Sequence, residues 1–378
     1  MFVNDFPTVL LYVLLYRFVR REVSWLKTKY KRQITPPNRR GFSFIYYLSF
    51  YFIMSTSAHS SQSVFRHQHT SDCMIIAGPC SVDEKNQKEI MEIAQMTVTN
   101  MSGKKQRAIA GTRVVGIKSR TELDVSGKGM GMDYPSYAAN LKRLLAGKPL
   151  SDLELPPSAR ISIEIFEKTN LLIATEVCSP LIQLSPLSKR IPKAKLLPWN
   201  PAVNQLGWPL HEMAMIAKAN DWIIGIKNGK WLGESVTSAE STHYTNKSNL
   251  EKVWSGLISY TAMPKENVYM IHRGIETNQK GDYRSLPIHH TARRVKESTG
   301  APMLFDPSHS LGPKMRMHIV AATVDAMQMK ISSGGYLYDG LLIEAGTSST
   351  DTEQHISLME LQDLVSTVAG FRNLVSPA

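Results

Sequence analysis

Residues 73–95 read CMIIAGPCSVDEKNQKEIMEIAQ: an unbroken apolar run of strand length, a Gly-Pro-Cys break, then an amphipathic helical stretch. A strand that is apolar throughout is covered on both faces, which is the condition of a parallel sheet whose crossovers are helices. Seven further runs share this character: RVVGIK (113–118), LLIATEV (171–177), AKLLPW (194–199), WIIGIK (222–227), VYMIHR (268–273), PMLFDP (302–307) and GLLIEA (340–345). Most are followed by an amphipathic stretch, among them YPSYAANLKRLL, PLHEMAMIAKA and SLMELQDLVSTVAG. Eight such repeats over about 300 residues fit an α/β chain closed into a (β/α)8 TIM barrel, with an open doubly wound sheet as the alternative.

The barrel is expected over residues 73–378, with residues 1–72 as a non-barrel extension. Two apolar runs, FPTVLLYVLLYRFVRR and GFSFIYYLSFYFIM, flank a basic stretch there. Each is shorter than the roughly 20 residues of a membrane span, and neither has the layout of a signal peptide. An extension outside the fold is favoured over membrane-surface attachment, and the polar segment from Met54 reads as a flexible lead into the first strand. Residues 1–54 hold nine Lys/Arg against two Asp/Glu, so they account for +7 of the formal charge of +12. The modest excess left suits anionic small molecules, and no zinc-finger or RNA-binding signature points to nucleic acid. Three cysteines in 378 residues give no disulfide framework. The odd count points to reduced thiols in a cytoplasmic setting.

In a barrel of this kind the active site lies at the C-terminal ends of the strands. Read in order, those ends carry Cys80, then Lys118 and Arg120, Glu176, Asn200, Lys227, Arg273, His309 and Glu344. Cys80, His309, Glu344 and Asp351 make a mixed thiolate, imidazole and carboxylate set suited to a divalent transition metal. The same spacing also fits a buried cysteine and three loop residues. Arg113, Lys118, Arg120, Lys227 and Arg273 would repel one another without an anion to hold. They predict a substrate with several negative charges, against the alternative of surface ion pairs.

The ordered set IAGPCSV, RVVGIKSRT, IGIKNG, MIHRG, FDPSHS and LLIEA resembles the class I 3-deoxy-7-phosphoheptulonate (DAHP) synthases and, more distantly, the 3-deoxy-octulosonate 8-phosphate synthases. The resemblance implies a barrel that condenses phosphoenolpyruvate with erythrose 4-phosphate, releasing phosphate, at the entry to aromatic amino acid synthesis. It implies Cys80, His309, Glu344 and Asp351 as ligands of manganese, iron, cobalt or zinc, and a homo-oligomeric state. Arg113, Lys118, Lys227 and Arg273 match residues that hold phosphoenolpyruvate. Arg120 and Thr121 match the site of the aldose phosphate, Glu176 falls near the metal-bound water, and Asp306 is expected within reach of the acceptor hydroxyls. Lys118, Glu176, Asp306 and His309 are the expected catalytic groups. Two departures stand out: Asn200 replaces the family's arginine after the fourth strand, and STDTEQ (349–354) keeps Asp351 and Gln354 but lacks a glycine. They keep two rivals in view, an octulosonate or sialic-acid-type synthase and a sugar-phosphate-binding barrel without catalysis.

Overall fold

The computed structural model describes residues 71–117, 131–188, 190–230, 249–348 and 353–375. Eight parallel strands follow one another: β1 (Asp72–Gly78), β2 (Gly111–Arg113), β3 (Leu172–Glu176), β4 (Leu196–Trp199), β5 (Ile224–Lys227), β6 (Val268–His272), β7 (Met303–Phe305) and β8 (Gly340–Glu344). Each pairs with the next, and β8 returns to pair with β1 over Met74↔Gly340 to Gly78↔Glu344. The sheet is therefore a closed barrel, not an open one. Arg372 seals its N-terminal end, donating from a buried guanidinium to the carbonyls of Ser71, Asp72, Met327 and Tyr338. No helix among the described residues is long and apolar enough to cross a membrane.

Strand periodicity separates two apolar layers. Met74, Ile76, Leu172, Ala174, Leu197, Ile271, Leu304 and Leu342 fill the barrel interior, while their neighbours Ile75, Ile173, Met270 and Ile343 pack outward under the helices. Because side chains alternate with period two, the next inward positions at the strand ends are Glu176 after Ala174, Trp199 after Leu197, Arg273 after Ile271, Asp306 after Leu304 and Glu344 after Leu342. The apolar strands thus end in polar groups aimed into the mouth. Gly225 makes room for the one large ring among them, since a Cβ there would lie 2.6 Å from Ile271 Cδ1 and 2.9 Å from Trp199 Cβ.

Two elements differ from the sequence expectation. The second strand is Gly111–Arg113, so Arg113 closes it instead of opening it. Val114, Val115 and Ile117 are buried beyond the strand, and an apolar run does not distinguish a buried turn from a ladder. Between β2 and β3 a further helix, Pro157–Thr169, follows Tyr134–Leu145. Pro157 suits its first turn, where an N–H would have no partner. Burial of Ile161 and Ile165 contributes about 3–6 kcal/mol toward docking it.

Candidate active site

The stretch FDPSH (305–309) ends β7 and starts the short helix Pro307–Leu311, for which Asp306 is the N-cap. Asp306 Oδ1 accepts from the His309 backbone N–H at 3.1 Å and faces His309 Nδ1 at 3.1 Å. Lys227 Nζ lies 3.0 Å from Oδ2. Burial alone would push the Asp306 carboxyl up, but His309, Lys227 and Arg113 outweigh it and hold it well below the usual carboxylate range. Asp306, expected to meet acceptor hydroxyls, is fully buried and engaged by His309 and Lys227.

With Nδ1 on Asp306, His309 turns Nε2 toward Glu344 Oε1 at 3.7 Å. Burial outweighs the pull of Asp306 and Glu344 and lowers the His309 pKa to about 4, leaving the neutral imidazole that a metal requires. Ligand atoms of Cys80, His309 and Glu344 lie within 4.8 Å of one another. A soft thiolate, an imidazole oriented by a carboxylate and a second carboxylate fit a transition metal. The barrel seam brings them together: Gly78 pairs with Glu344, and Cys80 follows two residues later. A Cβ at Gly78 would sit 2.9 Å from the Arg113 carbonyl oxygen, so only glycine lets β1 approach β2 that closely. Asp351 lies outside the described residues.

Glu344 Oε1 also accepts from Arg113 at 3.0 Å. The Trp199 ring lies 5.5 Å from Arg113 Cζ and 5.5 Å from Lys227 Nζ, a cation–π floor shared by both. Its indole N–H reaches Glu176 at 3.4 Å. The two buried arginines differ in kind. Burial disfavours the Arg113 charge, but Glu344, Cys80, Asp306 and Glu176 outweigh it and raise its pKa. At Arg273 the balance reverses: burial, joined by the charge of Arg284, outweighs the pull of Asp306, Glu276 and Glu176 and lowers its pKa to about 10. Its Nε and Nη1 and those of Arg113 lack hydrogen-bond partners among the described residues.

Asn200, expected on the substrate side, bonds backbone with its side chain. Its Oδ1 accepts from the Lys227 backbone N–H at 2.8 Å, and its Nδ2 donates to the carbonyls of Asn204 and Lys227. Asn228 repeats the device one strand on, accepting from the Arg273 backbone N–H at 2.7 Å, and Ser308 Oγ accepts from the Glu344 N–H at 2.9 Å. Each side chain holds the backbone of a candidate site residue at the end of another strand. Lys118, Arg120 and Thr121 lie outside the described residues. The sequence reading did not single out Trp199, Asn228, Arg284 or His355, the last of which accepts from the Cys80 N–H at 2.9 Å.

A closed parallel barrel whose mouth gathers a three-ligand metal-competent cluster and buried guanidinium groups with unmade hydrogen bonds has the layout of a (β/α)8 enzyme. The chain belongs to the DAHP synthetase I family, whose sequence pattern matches residues 60–375, and is an enzyme of the 3-deoxy-7-phosphoheptulonate synthase type. Among solved structures it is similar to phospho-2-dehydro-3-deoxyheptonate aldolase (DAHP synthase) of Thermotoga maritima. That match has a TM-score of 0.54 and 16% identity over 81% of this chain and 71% of the other, and so concerns the fold. A comparison with curated proteins finds no match.

Proposed function

We propose that the barrel joins phosphoenolpyruvate to erythrose 4-phosphate with uptake of water, giving 3-deoxy-7-phosphoheptulonate and phosphate in the cytoplasm, as the first step of aromatic amino acid synthesis. The observation that carries this reading is Arg273, a buried guanidinium with two unmade hydrogen bonds and a lowered pKa, near enough to Asp306, the partner of His309, to feel its charge. Such a group calls for an anion with several oxygens. Arg113 and Lys227 flank the same Trp199 floor and supply further positive charge.

In this reading Cys80, His309, Glu344 and Asp351 hold manganese, iron, cobalt or zinc, which as a Lewis acid would polarise the acceptor aldehyde. Arg113, Lys227 and Arg273 hold the carboxylate and phosphate of the enol donor, fixing one reactant against the other. Carbon 3 of the donor forms the new bond to the aldehyde carbon, water adds at carbon 2, and the carbon–oxygen bond to phosphate breaks. In this reading Glu176, which meets the Trp199 indole N–H, accepts the proton of that water, and the aldehyde oxygen takes up one proton as it becomes a hydroxyl. Lys118, Arg120 and Thr121 complete the acceptor side. The test is product mass and phosphate release with phosphoenolpyruvate and either erythrose 4-phosphate or arabinose 5-phosphate. A preference for erythrose 4-phosphate of at least about tenfold in kcat/KM supports the reading. Preference for arabinose 5-phosphate moves the chain to the octulosonate branch, and binding without phosphate release makes it a non-catalytic barrel.

A further inference from the structure

Two consecutive residues beyond β8 grip two different members of the metal-competent cluster. Residues 354–356 fold back along the end of β8: Ile356 N–H donates to the Glu344 carbonyl at 3.1 Å, and Gly346 N–H to the Ile356 carbonyl at 2.9 Å. Gln354, fully buried, donates from Nε2 to Glu344 Oε2 and accepts on Oε1 from Arg284 Nη1 at 2.6 Å. Glu344 Oε2 is thereby held by Gln354, while Oε1, which also accepts from Arg113, is the oxygen turned to His309. His355 Nε2 accepts from the Cys80 backbone N–H, a bond that requires a lone pair on that nitrogen. The His355 carbonyl is held by Arg316 Nε at 3.0 Å, and Arg316 is in turn ion-paired with Glu360 of the capping box on helix Leu358–Ala369.

We propose that Gln354 and His355 are positioning residues that preset the metal centre, Gln354 by fixing which oxygen of Glu344 faces the ion and His355 by fixing the backbone that aims the Cys80 thiolate. The inference rests on the reading of Cys80, His309 and Glu344 as metal ligands. Neither residue needs to touch the ion. Partners of this kind typically carry tenfold to hundredfold effects on metal affinity, because a ligand free to turn must be ordered when the ion arrives.

The test is cobalt(II) titration of the full chain, read by the thiolate-to-cobalt charge-transfer absorption and by competition with a chelator. His355→Leu and Gln354→Leu are each expected to weaken cobalt binding by about 10–100-fold, with a shifted thiolate band in His355→Leu. His355→Gln, which keeps an acceptor, should recover most of the affinity. Wild-type affinity and an unchanged band in both leucine variants would overturn the proposal. Should His355→Leu fail to fold, Gln354→Leu and His355→Gln carry the test, and wild-type affinity in Gln354→Leu together with full loss in His355→Gln overturns it. A wild-type complex with no thiolate band, matched by Cys80→Ser, would instead refute the metal-site reading itself.

Discussion

Replacing Arg273 by methionine should separate stability from activity in opposite directions. The guanidinium is buried with Nε and Nη1 unpartnered, and its lowered pKa of about 10 reflects desolvation reinforced by Arg284. At about 1.4 kcal/mol per pH unit, that displacement is on the order of 3 kcal/mol held against the charged form. Methionine fills similar space without the charge. The ligand-free variant should therefore be unchanged or more stable, by on the order of 1–3 kcal/mol, or roughly 2–8 °C in Tm. Two charge-assisted bonds to the donor substrate, each about 1.5–3 kcal/mol, would be lost on the other side, lowering kcat/KM by about 10²–10⁴-fold. Arg273→Lys should fall between, because an ammonium keeps the charge but not the planar fork. The assays are thermal unfolding without and with phosphoenolpyruvate, and phosphate release as a function of its concentration. Phosphoenolpyruvate should raise the Tm of the wild type and not that of Arg273→Met. A ligand-free Arg273→Met that loses more than about 5 °C while keeping its KM within about twofold would refute the reasoning.

Three further outcomes follow from other parts of the chain. His272 and His289 share the Tyr338 hydroxyl at 2.9 and 2.7 Å; burial, with His290 and Arg293 nearby, lowers the His289 pKa to about 4, and burial takes His272 well below its ordinary value. Both are neutral when folded, so the unfolded chain binds more protons below its ordinary histidine pKa of about 6.5, and stability falls as pH drops from there by about 1.4 kcal/mol per pH unit for each. His289→Gln should flatten the fall of Tm between about pH 6 and 4 relative to wild type, and an identical slope would contradict this. Arg372→Met should cost about 3–5 kcal/mol in thermal unfolding, since four backbone carbonyls lose a buried charged donor at once. A chain beginning at Met54 should be soluble and as active as the whole, because residues 1–53 carry none of the strand–helix alternation; an insoluble or inactive product would show that the extension belongs to the working protein.

The parts of the site legible in the sequence are those where an apolar strand breaks off at a polar residue. Glu176, Lys227, Arg273 and Glu344 stand at such breaks, and closure of the barrel then makes them neighbours. Trp199 stands at an equivalent inward position but continues its apolar run, so nothing local marks it as the ring beneath two cations. Arg284 and His355 are illegible for another reason: their contacts to Gln354 and to the Cys80 amide cross between loops far apart in the chain. Asn200 and Asn228 lie between these cases. Read alone, Asn200 looks like a weakened substrate contact in place of an arginine. Asn228 makes a different reading visible. Each follows an inward-facing strand-end residue, Trp199 or Lys227, and each takes the backbone N–H of the next strand's cation. At the rim the ladder has run out, so that N–H has no carbonyl opposite it, and a buried donor left alone would cost about 1–3 kcal/mol. A short amide side chain on the adjacent strand meets the need and fixes the cation's backbone at the same time. Asn200 thus brings no charge to the mouth but ties down Lys227, which already faces Asp306 and the Trp199 ring. Arg113 and Lys227 meet the Trp199 ring and the carboxylates of Glu344 and Asp306, whereas Arg273 keeps two unmade hydrogen bonds, and it is this third charge alone that Arg273→Met would remove.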